Sequence, residues 1–93
     1  MPTAIDIGSL IVRTPEIRSG RPRIAGTGVS VRRIAVLSSL GMSPEEIVDD
    51  FGHLSLAQVY AALAYYHANR PEIDCDVARE EAEAEALMRQ AQH

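Results

Sequence analysis

The sequence predicts a mainly α fold, in which a tri-helical helix-turn-helix core sits behind a short N-terminal β-ribbon and a further helix closes the chain. Three observations carry that expectation. Two helix-start signatures recur twelve residues apart, at Ser43 and Ser55. Short β-branched stretches punctuated by glycine and proline precede them, and a long Ala/Glu-rich segment follows.

Ninety-three residues are enough for one hydrophobic core and too few for two. With 46% hydrophobic residues but no Trp and a single Phe, that core must be aliphatic. The lone Cys75 excludes an intramolecular disulfide. Neither a signal sequence nor an apolar run of membrane-spanning length is visible, so the cytoplasm is the expected compartment and a membrane is not an expected partner.

Taken in order, residues 1–9 read as a flexible lead-in, residues 10–74 as the ribbon plus tri-helical domain, and residues 75–93 as an acidic C-terminal helix or tail. Leu10-Ile11-Val12, Ile24 and Val29-Ser30-Val31 read as two or three short strands. Gly26-Thr27-Gly28 offers positive-φ positions for a tight turn, so residues 23–25 and 29–31 are expected to pair as a hairpin. So small a hairpin must lie on helices or on a second copy of itself.

From Ser30 onward the signals are helical. Ile34, Leu37 and Leu40 fall at helical spacing, and Gly41 stands where a left-handed residue ends a helix. In Met42-Ser43-Pro44-Glu45-Glu46-Ile47, Ser43 fits as N-cap, Pro44 as first helical residue, Glu46 as the reciprocal capping partner, and Met42 with Ile47 as a hydrophobic staple. That helix is expected to reach Phe51 and stop at Gly52. Leu54-Ser55-Leu56-Ala57-Gln58-Val59 repeats the device, with Ser55 and Gln58 as the box. The third helix is read with Leu56, Val59, Tyr60 and Leu63 on its buried face and an end near Asn69, because Pro71 disfavours helix at Arg70. From about Asp76 to Gln92 a further helix is expected, detached or frayed, since Val77, Leu87 and Met88 are its only large apolar residues.

Charge divides the chain. Residues 1–42 carry six arginines against Asp6 and Glu16, a net +4, whereas residues 43–93 carry three arginines against eleven acids, a net −8. Such asymmetry suits a protein that meets a polyanion with one end and a different partner with the other, and equally the two halves of an intertwined dimer. Arg13, Arg18, Arg21, Arg23, Arg32 and Arg33 form the expected phosphate-contacting set, with strand alternation placing Arg21 and Arg23 on one face; a solvated face is the plain alternative. Helix three is the candidate recognition helix, its outward positions read as Ser55, Gln58, Ala61, Ala62, Tyr65 and Asn69, with Ser55 and Gln58 as DNA contacts. Acidic helix two is poorly suited to DNA. In the tail, Val77, Arg79, Leu87, Met88 and Arg89 are the candidate contacts to a protein partner, while an exposed helix with a Glu85–Arg89 pair is the alternative.

No catalytic pattern is present. His53, His67 and His93 are scattered, and Cys75 has no histidine at a signature spacing. Nothing resembles a nucleophile elbow, a phosphate-binding loop or a zinc pattern, so no enzyme, cofactor or metal is expected.

The strings Ile11-Val12-Arg13-Thr14-Pro15-Glu16-Ile17, Ser19-Gly20-Arg21-Pro22-Arg23-Ile24-Ala25-Gly26-Thr27 and Gly41-Met42-Ser43-Pro44-Glu45-Glu46-Ile47 resemble the bacterial domain of unknown function 433, over about residues 8–74. That resemblance implies a homeodomain-like tri-helical fold with an N-terminal β-segment, often dimeric. It also implies a VapB-type antitoxin, which neutralises a PIN-like ribonuclease toxin and binds operator DNA as a homodimer. One position departs: the family usually has arginine after the Gly-Thr pair, where this chain has Gly28. The rival expectation is a protein-interaction or dimerisation adaptor whose helices never meet DNA.

Overall fold

The computed structural model describes residues 6–14 and 20–91; Arg18 and most of the expected lead-in, residues 1–5, lie outside the described residues. The fold is mainly helical, with one small antiparallel sheet near the N-terminus. Asp6 caps a 3-10 turn, Ile7–Leu10, by accepting the Gly8 amide at 3.0 Å. The turn runs straight into strand β1, Ile11–Val12.

Strand β1 pairs with β2, Arg23–Ile24, setting Ile11 opposite Ile24 and Val12 opposite Arg23. This corrects the expected hairpin of residues 23–25 with 29–31, of which only a single bridge between Arg23 and Ser30 forms. The reason is local: Ser30 serves as N-cap of helix α1, Val31–Ser39, so the backbone turns helical where a second strand was expected. In the intervening turn the Thr27 amide donates to the Ile24 carbonyl at 3.1 Å. Gly26 takes the left-handed φ of +77° there, and Gly28 does not. A ribbon this short has no stability of its own, and it lies against α1 and α3 with Ile24 fully buried.

The helix ends follow the local chemistry. Beyond α1, the Gly41 amide donates to Ser38 and the Met42 amide to Leu37, which is the Schellman arrangement around a left-handed glycine. Helix α2, Pro44–Phe51, opens with the Ser43–Glu46 box and closes on Gly52 in the left-handed region. Helix α3, Leu56–Ala68, opens with the Ser55–Gln58 box. Ile34 of α1, Ile47 of α2, and Val59 and Ala62 of α3 meet at the centre with no solvent exposure.

The orientation of α3 differs from the sequence expectation. Ala61 and Ala62, read as outward, are buried, while Leu56 and Tyr60, read as inward, are 42% and 53% exposed. Helix α3 is apolar nearly all round, so periodicity does not choose its face. Its surroundings do: α1 and α2 cover one side, and the N-terminal turn with β1 covers another. The exposed strip is Leu56, Ala57, Tyr60, Ala64 and His67.

Helix α4, Arg70–Ala91, follows α3 after Asn69 alone. Pro71 lies in its first turn, where a missing amide hydrogen costs nothing, and so begins the helix instead of delaying it. The expectation of a detached helix starting near Asp76 is therefore corrected for its first half. Ile73 is fully buried in the core and Val77 half-buried, and α4 packs on α1 and α3.

Candidate functional site

The basic residues of the N-terminal part converge because short elements bring them to one side of α4. Arg13 follows β1, Arg21 precedes β2, and Arg32 lies in the first turn of α1. Facing them, α4 presents Glu72, Asp76 and Glu80 at four-residue intervals, a stripe with a rise of about 6 Å per step. Arg13 donates to both Glu72 and the Tyr65 hydroxyl. Arg21 approaches Asp76 at 3.8 Å and Glu80 at 2.8 Å, and Arg32 reaches Glu80 at 2.6 Å. Each arginine of the row is thus held by a carboxylate of the same chain.

The electrostatics follow that pairing. The Glu72 carboxylate first, and the Tyr65 hydroxyl second, hold the Arg13 guanidinium above its ordinary pKa. Exposure falls along the stripe to a minimum at Asp76, whose side chain is 13% exposed and also accepts from Arg79. Partly exposed pairs of this kind contribute about 0.2–1 kcal/mol each and are weakened by salt. Burying Ile73 contributes about 1.5–3 kcal/mol. The buried contact and the four ion contacts taken together are therefore of comparable size in holding α4 on the body.

The remaining arginines behave differently. Arg23 donates to the Thr27 carbonyl at 2.9 Å and the Thr14 hydroxyl at 3.0 Å. It does not share a partner with Arg21, because β2 begins only at Arg23 and strand alternation does not extend back to residue 21. Arg33 is exposed and has no carboxylate partner among the described residues. It lines an open groove with Gly28, Val29, Ser30, Arg32 and Phe51. The Nε atoms of Arg23 and Arg32 are buried without a hydrogen-bond acceptor among the described residues.

The two residues named on α3 are engaged in its cap: Ser55 Oγ accepts the Gln58 amide at 3.2 Å and Gln58 Oε1 accepts the Ser55 amide at 2.7 Å. Neither stands on the exposed strip farther along the helix.

The tail contacts separate into two groups. Val77 lies on the docked half of α4, in a shallow cleft with Ala35, Val36, Ser39, Tyr66 and Asp74, and Arg79 pairs with Asp76. There Asp74 accepts from Tyr66 at 2.8 Å, and that hydrogen bond raises the phenol's pKa. Beyond Glu80 every residue through Ala91 is exposed, including Leu87 at 66% and Met88 at 64%. Arg89 belongs to this half, and the Glu85–Arg89 pair of the exposed-helix alternative is not among the ion pairs of the described residues. At about 100° per residue, Ala84, Leu87, Met88 and Ala91 continue the face that carries Ile73 and Val77. One stripe is thus covered by the body over its first half and uncovered over its second.

The pairing of Glu72, Asp76 and Glu80 with the arginines is not among the sequence expectations. Their i, i+4, i+8 spacing was available, but it becomes a stripe only once the helix is known to begin at Arg70. Among the described residues, no group of three His, Cys, Asp or Glu side chains is placed to hold a metal ion, and no helix is long and apolar enough to cross a membrane.

Residues 11–66 match a family described as "Protein of unknown function (DUF433)". In three dimensions the chain is similar to a crystal structure of a DUF433 member protein from Anabaena variabilis ATCC 29413, at 27% sequence identity and a TM-score of 0.71, over 75% of this chain and 69% of that one. No curated protein matches the sequence.

Proposed function

We propose that this chain, which belongs to the DUF433 family, is a non-enzymatic regulatory protein of the antitoxin kind. The distal half of α4 captures a PIN-like ribonuclease toxin, and the arginine-bearing ribbon meets operator DNA, as a homodimer. The observation that carries this reading is the half-covered stripe of α4. A helix whose apolar face continues through Leu87 and Met88 beyond the body that covers Ile73 is incomplete without a partner. The acidic side chains around that face, Glu81, Glu83 and Glu85, favour a partner with a basic groove.

Co-expression of the tagged chain with the product of the adjacent reading frame tests the proposal. A stable complex that suppresses ribonuclease activity is the expected result. A double substitution, Leu87→Glu with Met88→Glu, is expected to abolish the complex and leave the core folded. Retention of the toxin by that variant would refute the role given to the distal helix.

The adaptor reading stays in play because of one specific observation: Arg13, Arg21 and Arg32 are already paired within the chain. Titration of a labelled duplex from upstream of its own gene separates the two. The absence of a salt-sensitive complex at micromolar protein favours an adaptor that does not bind DNA.

A further inference from the structure

The pairing that counts against DNA binding has a second consequence, which rests on the nucleic-acid contact proposed above and adds its regulation. We propose that the docked half of α4 is a built-in competitor for nucleic acid, with Glu72, Asp76 and Glu80 occupying on Arg13, Arg21 and Arg32 the places that backbone phosphates would take. The row then accepts a duplex only when α4 is lifted from it.

Four observations converge on this device. The carboxylates form a regular row of negative charge on one rigid element, about 12 Å from first to last, as a phosphate backbone does. They are matched to guanidiniums drawn from three different places in the chain, the β1 end, the β2 start and the first turn of α1. Guanidinium is the side-chain group best suited to phosphate oxygens, so the surface under α4 is chemically a phosphate surface. The cover also has a short joint and a handle: Asn69, with φ −133° and ψ 38°, is the one non-helical residue between α3 and α4, and the exposed half of α4 offers a partner a grip outside the contact.

An entry point remains when α4 is docked. Arg33 stands at the groove lined by Gly28, Val29, Ser30 and Phe51, next to Arg32, whose Nε has no acceptor among the described residues. A phosphate engaging Arg33 there lies beside the first ion pair it must displace, Arg32 with Glu80. A partner seated on the distal half and pulling α4 away would free the row, so capture of the protein partner and of DNA are coupled in the same direction.

The test compares full-length variants by fluorescence anisotropy, with a short fluorescein-labelled DNA duplex of mixed sequence at low salt. Neutralising the docked stripe, E72Q/D76N/E80Q, is expected to tighten binding by about ten-fold or more over wild type, with a steeper salt dependence. The control E81Q/E83Q/E85Q makes the same change of net charge on the exposed half and is expected to give a gain smaller by about half a decade or more. Adding R21Q and R32Q to the first variant is expected to remove the gain. Equal gains from the two charge-matched variants would overturn the proposal, as would a gain that survives loss of the arginines or one seen with anionic lipid vesicles in place of the duplex.

If the stripe variant does not fold, amide hydrogen exchange of the wild-type chain with heparin decides. Faster exchange in residues 72–80 with heparin than without it, and no such change in residues 45–50, is expected; unchanged exchange in α4 overturns the proposal. Wild type binding the duplex as tightly as the stripe variant leaves a DNA-binding surface without its competitor. Failure of every variant to bind either polyanion removes the DNA reading itself.

Discussion

Glu80 of α4 lies 2.6 Å from the guanidinium of Arg32 in the first turn of α1. The same carboxylate also meets Arg21 at 2.8 Å, so one side chain ties the last docked turn of α4 to both the ribbon and the helix that follows it. An arginine pair in the first turn of α1 is unfavourable to that helix's own dipole, and Glu80 supplies the missing negative charge from outside.

Replacing Glu80 by Gln removes two ion pairs with side chains that are between 23% and 32% exposed. A loss of about 1 kcal/mol is expected, after discounting for solvent screening. The loss should shrink as sodium chloride is raised, because only the wild type has the pairs to screen. Urea denaturation of both proteins at two salt concentrations measures this, and a salt-independent difference would show that the cost lies elsewhere.

Ile73→Ala is expected to be costlier, about 2–5 kcal/mol, because Ile73 is fully buried within the core cluster. Helix content should fall by more than one residue's worth, since the docked half of α4 loses the contact that sets it on the body. Circular dichroism and thermal melting give both numbers together. A change below about 1 kcal/mol would mean that α4 is not held by this contact.

Gly52 ends α2 with φ +76°, and a methyl group built on it meets nothing within 4 Å. Gly52→Ala therefore costs only backbone strain, about 1–2 kcal/mol. Asn tolerates the left-handed region, so Gly52→Asn is expected to recover part of that loss. Equal stability of all three proteins would argue that the turn relaxes to another conformation.

These cap and turn residues were legible in the sequence because their physics is local. Ser43 with Glu46, Ser55 with Gln58, Gly41 and Gly52 each act within a few residues of their own position. What was not legible depends on distant neighbours. The buried face of α3 is set by the elements packed around it, α1, α2, the N-terminal turn and β1, and nothing in an almost wholly apolar helix announces that. The β1–β2 register joins residues 11–12 to 23–24 across a long connection, whereas the nearer hairpin had the better local signal. The arginines stand out in the sequence as a set, but their partners depend on where α4 starts, and Pro71, which disfavours helix at Arg70 by local rule, is accommodated in the first helical turn.

The capping box of α2 makes a prediction about pH. The Ser43 backbone amide donates to Glu46 Oε1 at 3.0 Å, and this bond, with a smaller contribution from the Ser43 side chain, holds the Glu46 pKa below its ordinary value of 4.5. A carboxyl group with a lowered folded-state pKa adds stability that is fully present above its unfolded value and disappears as pH falls through its folded value. Part of the stability of α2 should therefore be lost on acidification below about pH 4.5. Glu46→Gln keeps an acceptor oxygen for the Ser43 amide but removes the titration. The variant should be less stable than wild type at neutral pH, where the ionised carboxylate also favours the N-terminus of the helix. The two proteins should converge in acid, once Glu46 is protonated. Melting temperatures measured across that range give the difference directly. A gap that stays constant from neutral pH into acid would mean that the ionised form of Glu46 contributes nothing to the cap, and the box would then hold α2 through hydrogen-bond geometry alone.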